Sequence, residues 1–438
     1  MKAEYFTDIL RSMINHEIAC NGLLLAFLSV FILSALGRWV LGEINIRHVQ
    51  RHGHTVPDVF RGEIDGEILS RMSDYTVESA RFSRWESLFE DALTLVIILT
   101  GTLSWLAVVI GFFGLSFIVS GLLFLGVLTL LSSVAGLPLS YYQTFVIEKK
   151  YGFSTISLGL WITDLLKSLI ISLILLGSLL MALLALMEYS PRRWWFLVWL
   201  VFASFQLLML YLYPIVIAPL FNKYEKIKDE ELREAIVSLM ARVGLKTEGV
   251  YQMDAGKRSR HTNAYFTGLG KTKRIVLYDT LLSSHTHEEI LSVLAHEIGH
   301  WRKRHILKQL IFMEAASLVV FYLIFRFVDW PYLYQTFGFS QNLPYAGLFL
   351  ATALLGPLGF FLTPFGTVIL RRFEREADEF AYALTGTVVP LCNALKRLAK
   401  DNLSNLHPHP FYAWFYYSHP PLTERIAYLQ GMENKNSS

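Results

Sequence analysis

Residues 293–301, VLAHEIGHW, set two histidines four residues apart with a glutamate directly after the first. On a helix of about 3.6 residues per turn, His296 and His300 share one face, so both imidazoles can reach a single metal ion while Glu297 stands beside it. Imidazole suits zinc, and a carboxylate next to a metal-polarised water is the arrangement of a hydrolase. With 13 histidines in 438 residues, chance alone would place His-Glu-x-x-His in about two percent of such chains. Surroundings therefore matter. Thr286 followed by Glu289 makes a capping box, and Ile290, Leu294 and Ile298 then recur every four residues as a buried stripe. The motif sits on a helix.

A catalytic zinc takes three protein ligands and leaves one position open. The downstream segment RRFEREADEFA offers Glu374, Glu376, Asp378 and Glu379 on a second helix. Glu374 and Asp378 share a face while Glu376 points away. That spacing suits Glu374 as third ligand and Asp378 as acceptor for the other N–H of a ligating histidine. A solvated acidic and basic face explains the same spacing, and on these residues alone the two readings stand level. In FYYSHPPLTERI, Pro420 and Pro421 make His419 the end of an extended turn, with Arg425 on the helix that follows. His419 is there either a donor near a developing oxyanion or part of a surface turn. His407 and His409, set in a His-Pro-His-Pro loop, and His261, His285, His287 and His305 read as polar surface groups.

These residues must be carried by a membrane protein. The chain is 53% hydrophobic and 17% charged, against about a quarter charged in soluble domains, and its mean hydropathy is +0.41. A net charge of +3, with both signs interleaved, gives no reason to expect nucleic-acid binding. The two cysteines, Cys20 and Cys392, offer neither a disulfide framework nor zinc-finger spacing. The first apolar segment follows Glu4, Asp8 and Glu17 and is too long for a cleaved signal, so it is expected to be retained.

Seven segments are apolar enough to cross a bilayer: 18–41, 92–113, 117–138, 168–187, 194–215, 306–328 and 344–365. Gly356, Pro357 and Pro364 break the last. Lys308, Gln309 and Glu314 in the sixth are expected to face a protein interior or a water-filled cavity. With the N-terminus outside, Arg47, Arg51, Arg61, Arg71, Arg81, Arg84, Lys149, Lys150 and the basic 223–305 region are inside, leaving little beyond Arg192 and Arg193 outside. The polar regions then share the cytoplasmic side. The chain divides into 1–221 with five spans, 222–305 as the first part of a zinc peptidase domain, 306–365 with two spans, and 366–438 as its second part. In the first polar region DEELREAIVSLMARVGL is an amphipathic helix, and NAYFTGLG and RIVLYDTLL, joined by KTK, read as a β-hairpin or irregular meander. An exposed strand edge there can hold an extended peptide beside the metal. The polar end ENKNSS is expected to be disordered.

In this order, SYYQTFVIEKKYGFST, NAYFTG, HEIGHW, RRFEREADEFA and YYSHPPLTERI, set around seven apolar spans, resemble the type I CAAX prenyl protease family, membrane zinc endopeptidases known from yeast a-factor maturation and lamin processing. The resemblance runs over nearly the whole chain. It implies one zinc ion bound by His296, His300 and Glu374, with Glu297 as catalytic base, Asn263 on the substrate backbone, and His419 with Arg425 supporting the transition state. The implied fold is an α-helical polytopic ring of seven transmembrane helices around a water-filled chamber, closed by a cytoplasmic α+β zincin-like domain. The expected activity is peptide-bond hydrolysis by zinc-activated water. Expected partners are the bilayer and a peptide or protein substrate, prenylated at a C-terminal CAAX tail as in eukaryotic members, or membrane and misfolded proteins in a bacterial one. With no ER-retrieval dilysine, a bacterial inner membrane is favoured over the ER. Two other classes compete: an intramembrane-cleaving metalloprotease, against which WRKRH directly after the motif argues, and a non-catalytic scaffold or transporter, which would not need Glu297.

Overall fold

The computed structural model describes residues 18–267 and 272–436. The acidic N-terminal stretch with Glu4, Asp8 and Glu17, the turn of the expected hairpin at 268–271 and the last two residues lie outside the described residues. Long apolar helices dominate: α1 (Gly22–His52), α2 (Gly66–Leu99), α3 (Thr102–Gly111), α4 (Phe117–Tyr142), α5 (Leu158–Tyr189) and α6 (Trp194–Leu212). Side-chain caps set several starts. Asn21 Oδ1 accepts from the amides of Leu23 and Leu24 at 3.0 and 3.1 Å, Asp65 from Ile68 at 2.8 Å, and Ser157 from Leu160 at 3.2 Å. The expected second span, 92–113, is not one helix: the chain bends by 57° between α2 and α3. Gly101, at φ +75, takes the left-handed conformation that the bend needs.

A mixed unit of strands and helices follows. It contains β1 (Tyr224–Lys226), α7 (Glu230–Arg242), β2 (Lys246–Met253), β3 (Ala264–Thr267), β4 (Thr272–Tyr278) and α8 (His287–Arg302). After it come α9 (His305–Val328), α10 (Pro344–Leu355), α11 (Leu358–Thr385), α12 (Val389–Asp401), α13 (Pro410–Tyr416) and α14 (Leu422–Asn436). α10 and α11 meet at a bend of 58°, where Gly356 and Pro357 lie. Among the described residues, five helices are long and apolar enough to cross a membrane, or up to seven if each bent pair is one span. α14 reaches Asn436, so most of the ENKNSS end is helical rather than disordered.

Packing order closes on itself. α1 lies on α2, the α2–α3 pair leads to α4, and α4, α5, α6, α9 and α10 each touch the next, while α11 returns to α1. At one end an apolar cluster of Phe27, Phe124, Leu184, Tyr334 and Phe337 fills the space between helices. Beyond that cluster α4 is exposed all round: every residue of 129–134 is exposed.

The sheet runs β1-β2-β4-β3, with β2 parallel to β4 and β3 antiparallel to β4 in the register Ala264↔Leu277 to Thr267↔Arg274. The expected pairing of β3 with β4 is present, and β3 and β1 are the two edge strands. α7 buries Leu232, Ile236, Leu239 and Met240 as its amphipathic pattern requires. The capping box of Thr286 and Glu289 starts α8, whose Ile290, Leu294 and Ile298 enter the same core as Ile275 and Leu277. α8 is followed after two residues by α9, and α11 continues unbroken through Pro364 to Thr385. Both motif-bearing helices therefore run straight into membrane helices.

Candidate metal centre

α8 brings His296 and His300 to α11, which carries Glu374 and Asp378. The crossing is close because Gly299 has no side chain: a Cβ there would stand 2.9 Å from Ala377 Cα and 3.0 Å from Ala377 O. His296 Nε2 lies 3.1 Å from His300 Nε2 and 3.3 Å from Glu374 Oε2, and His300 Nε2 lies 3.2 Å from Glu374 Oε1. These three residues are the one group of metal-capable side chains among the described residues.

The donor set fits zinc. Ligand bonds of about 2.0–2.1 Å in a tetrahedron put neighbouring ligand atoms about 3.3 Å apart, and the observed edges of 3.1–3.3 Å match. Glu374 Oε2 is buried with no well-formed hydrogen bond among the described residues; His296 Nε2 at 3.3 Å and the Arg425 guanidinium at 3.7 Å are its neighbours, which leaves a carboxylate oxygen that a bound cation would satisfy better.

Each histidine is held at its other ring nitrogen. His296 Nδ1 lies 2.8 Å from Asp378 Oδ1. Arg425 donates from Nε and Nη2 to the two Asp378 oxygens at 2.8 and 2.7 Å, and its Nη2 also stands 3.1 Å from His296 Nδ1. Behind His300 is His305, Nδ1 to Nδ1 at 3.0 Å, and behind that Glu376, whose Oε2 lies 3.1 Å from His305 Nε2. Burial and the Arg425 charge press the His296 imidazole toward its neutral form, yet contacts with Asp378 and Glu374 outweigh them and the net direction is upward. Burial opposes the charge on Arg425, but the facing Asp378 and Glu374 carboxylates raise its pKa overall. His419 goes down, chiefly through partial loss of water around a ring whose side chain is still 61% exposed.

A cavity of about 700 Å³ opens on this group and is lined by Asn263, His296, Glu297, Glu374, His419 and Arg425. His300 and Asp378 complete the cluster beneath. His419 Nε2 lies 3.2 Å from Glu374 Oε1, and Ser418 Oγ is 2.9 Å from its Nδ1. Arg425 is buried and its guanidinium faces Asp378, so it stands behind His296 rather than free in the cavity. Asn263 is exposed at the start of β3, its Oδ1 accepting from the Ala264 amide at 2.8 Å.

Two groups that read as surface polarity are in fact buried: His305 and His285. His261 is not a bystander either. It stacks on Phe153 at 4.0 Å, with Nδ1 3.0 Å from Asn402 Oδ1 and Nε2 3.3 Å from Glu148 Oε2. Asn402 also accepts from the Thr262 amide at 3.2 Å and donates to Thr262 Oγ1 at 3.2 Å. The backbone pairs as well, Thr155 N to Arg258 O at 3.1 Å and Arg260 N to Phe153 O at 3.0 Å. Thus the IEKKYGFST segment after α4 anchors the stretch 258–262 that leads through Asn263 into β3. Glu148 and His261 lie 113 residues apart, and no local spacing joins them.

Comparison with known proteins places these motifs in a family. Residues 45–223 match the CAAX prenyl protease N-terminal region of five membrane helices, and residues 226–433 match peptidase family M48. CAAX prenyl protease 1 of Saccharomyces cerevisiae is 35% identical over 423 residues, 90% of this chain and 93% of that one. The human CAAX prenyl protease 1 homolog is 31% identical over 427 residues, 87% and 89% of the two chains. The crystal structure of S. mikatae Ste24p superposes with a TM-score of 0.85 at 34% identity, covering 92% of this chain and 99% of that one. With likeness of sequence and fold extending over nine-tenths of its length, this chain belongs to peptidase family M48, in its CAAX prenyl protease 1 branch.

Proposed function

We propose that this multi-pass membrane metalloendopeptidase holds one zinc ion on His296, His300 and Glu374 and cleaves peptides laid along β3. When bound, zinc supplies Lewis-acid polarisation of the scissile carbonyl and acidifies water toward neutral pH. The chain's own residues do the rest. Glu297 follows a ligand directly and faces the cavity, where its carboxylate takes the proton of the attacking water and returns it to the leaving amine. β3 offers its free edge to an extended substrate, and Asn263 at its start binds the substrate main chain. His419 donates to the oxyanion; its contact with Glu374 puts Nε2 within a short side-chain movement of that position. Arg425 acts through Asp378, fixing the His296 ring so that Nε2 faces the metal. The observation that carries this reading is the His296–His300–Glu374 triangle opening on a cavity that Glu297, Asn263 and His419 share.

The relatives' names support prenylated C-terminal CAAX peptides as the substrate class. Seven spans, counting each bent pair as one, enclose a water-filled chamber beside the catalytic unit; the closed packing order and the all-round exposure of 129–134 support it. The catalytic unit, 222–305 with 366–438, lies on the cytoplasmic side by the distribution of lysine and arginine. The relatives named come from yeast and human, which weighs toward a eukaryotic intracellular membrane and against the bacterial one that the C-terminus suggested. The test is zinc analysis with peptidase assays on a farnesylated and an unprenylated peptide. Wild type should carry one zinc per chain and prefer the farnesylated peptide. Glu374→Ala should lose the metal, and Glu297→Gln should keep metal and fold but lose turnover. Wild-type cleavage by Glu297→Gln would remove the mechanism.

A further inference from the structure

The two histidines at the metal centre differ in what holds their second ring nitrogen. Behind His296 is a carboxylate, which can only accept. Behind His300 is another imidazole, with the Nδ1 atoms 3.0 Å apart. Two ring nitrogens at that distance bond only if one carries the proton and the other a lone pair, so something further must set the direction. Glu376 does so. Its Oε2 lies 3.1 Å from His305 Nε2; a carboxylate accepts, so His305 keeps its proton on Nε2 and presents the Nδ1 lone pair. His300 then donates from Nδ1, and its Nε2 lone pair faces Glu374 and His296.

The chain is bent to achieve this. On a continuing helix, five residues turn the side chain by about 140°, and His305 would point away from His300. Arg304 instead adopts the left-handed conformation at φ 57, a rare state for a residue with a Cβ, and ends α8 there. His305 begins α9 and swings back under His300, fully buried and stacked on Phe373 at 4.2 Å and 7°. Phe373 is in turn the neighbour of Glu374. Packing alone would need an apolar ring at this place, not an imidazole with both nitrogens engaged.

We propose that His305 is a positioning residue of the metal centre: with Glu376 behind it, it fixes the tautomer and ring rotation of His300, making the first turn of the membrane helix α9 part of the metal site. This rests on the reading that His300 binds zinc. The test uses the purified full chain loaded with zinc and follows release of the metal to excess chelator, together with the visible spectrum of the cobalt-substituted protein. His305→Phe keeps a ring on Phe373 but removes both nitrogens; it should release zinc on the order of ten- to a hundredfold faster and shift the cobalt bands. Glu376→Ala should accelerate release several-fold, while Glu376→Gln, whose amide oxygen still accepts, and Arg372→Ala, which removes only Glu376's exposed partner, should stay near wild type. If His305→Phe does not fold, Glu376→Ala decides, since it leaves the buried ring in place. Release at the wild-type rate in the deciding variant, while Glu374→Ala has lost its zinc, overturns the proposal. Full zinc retention by Glu374→Ala overturns instead the zinc reading on which it stands.

Discussion

Gly299→Ala tests how tightly the metal centre depends on the α8–α11 crossing. On an isolated helix this change is favourable by about 1 kcal/mol. Here the new Cβ would meet Ala377 Cα at 2.9 Å, Ala377 O at 3.0 Å and Phe380 Cβ at 3.2 Å. Ordinary carbon contacts begin near 3.5 Å, so the helices must part by roughly 0.6 Å, against backbone that cannot rotate away. Overpacking of this kind costs about 1–3 kcal/mol, which cancels or exceeds the helix gain. The function should suffer more than the fold. Ala377 lies one helical turn from Glu374, so the shift moves one ligand against the other two, beyond the roughly 0.2 Å tolerance of ligand distances. We expect at least tenfold weaker zinc binding in a chelator competition. Turnover with zinc saturating should fall ten- to a hundredfold, since about 1 Å of misplacement is worth about a hundredfold. Thermal unfolding of the metal-free protein should change by only a few degrees. A variant that melts higher, binds zinc as wild type and turns over normally would refute the claim that this glycine sets the ligand geometry.

Arg425→Lys replaces a guanidinium that grips both Asp378 oxygens with a single point charge; zinc affinity should fall about ten- to a hundredfold, with kcat largely restored by saturating zinc. A hundredfold loss of kcat with unchanged zinc affinity would instead put Arg425 on the reacting peptide. Single cysteines at each position of 129–134, in a Cys20→Ser, Cys392→Ser background, should react with a water-soluble thiol reagent on one face of α4 and not on the other. Uniform inertness beside a labelled loop cysteine would mean that no water-filled chamber lies behind that helix.

What was legible in the sequence follows from which distances are local. His296, His300 and Glu297 share one helix, and Glu374 and Asp378 share another, so helical spacing alone puts the right atoms on the right faces. The capping box and the stripe of Ile290, Leu294 and Ile298 marked the helix, and Gly356 and Pro357 marked a break. The break at Gly101 was hidden because 92–113 carries neither a charge nor a proline; a glycine inside such a run is equally compatible with a straight span. His305 reads as a polar surface group because nothing in WRKRH marks the left-handed turn at Arg304 that returns it to the site. Arg425 could be placed on a helix but not on its partner, which lies 47 residues away on α11.

Each of the two helices that carry the candidate ligands joins an apolar helix without a flexible linker: α8 through the turn at Arg304, and α11 as the same helix that passes Pro364. A rotation or tilt of α9 or of the first half of α11 must therefore displace His305, Phe373 or Glu374, because the buried packing around them transmits displacement rather than absorbing it. The first turn of α9 and the Phe373–Glu376 stretch of α11 are thus held together through His305, so a displacement of either helix there is felt at Glu374.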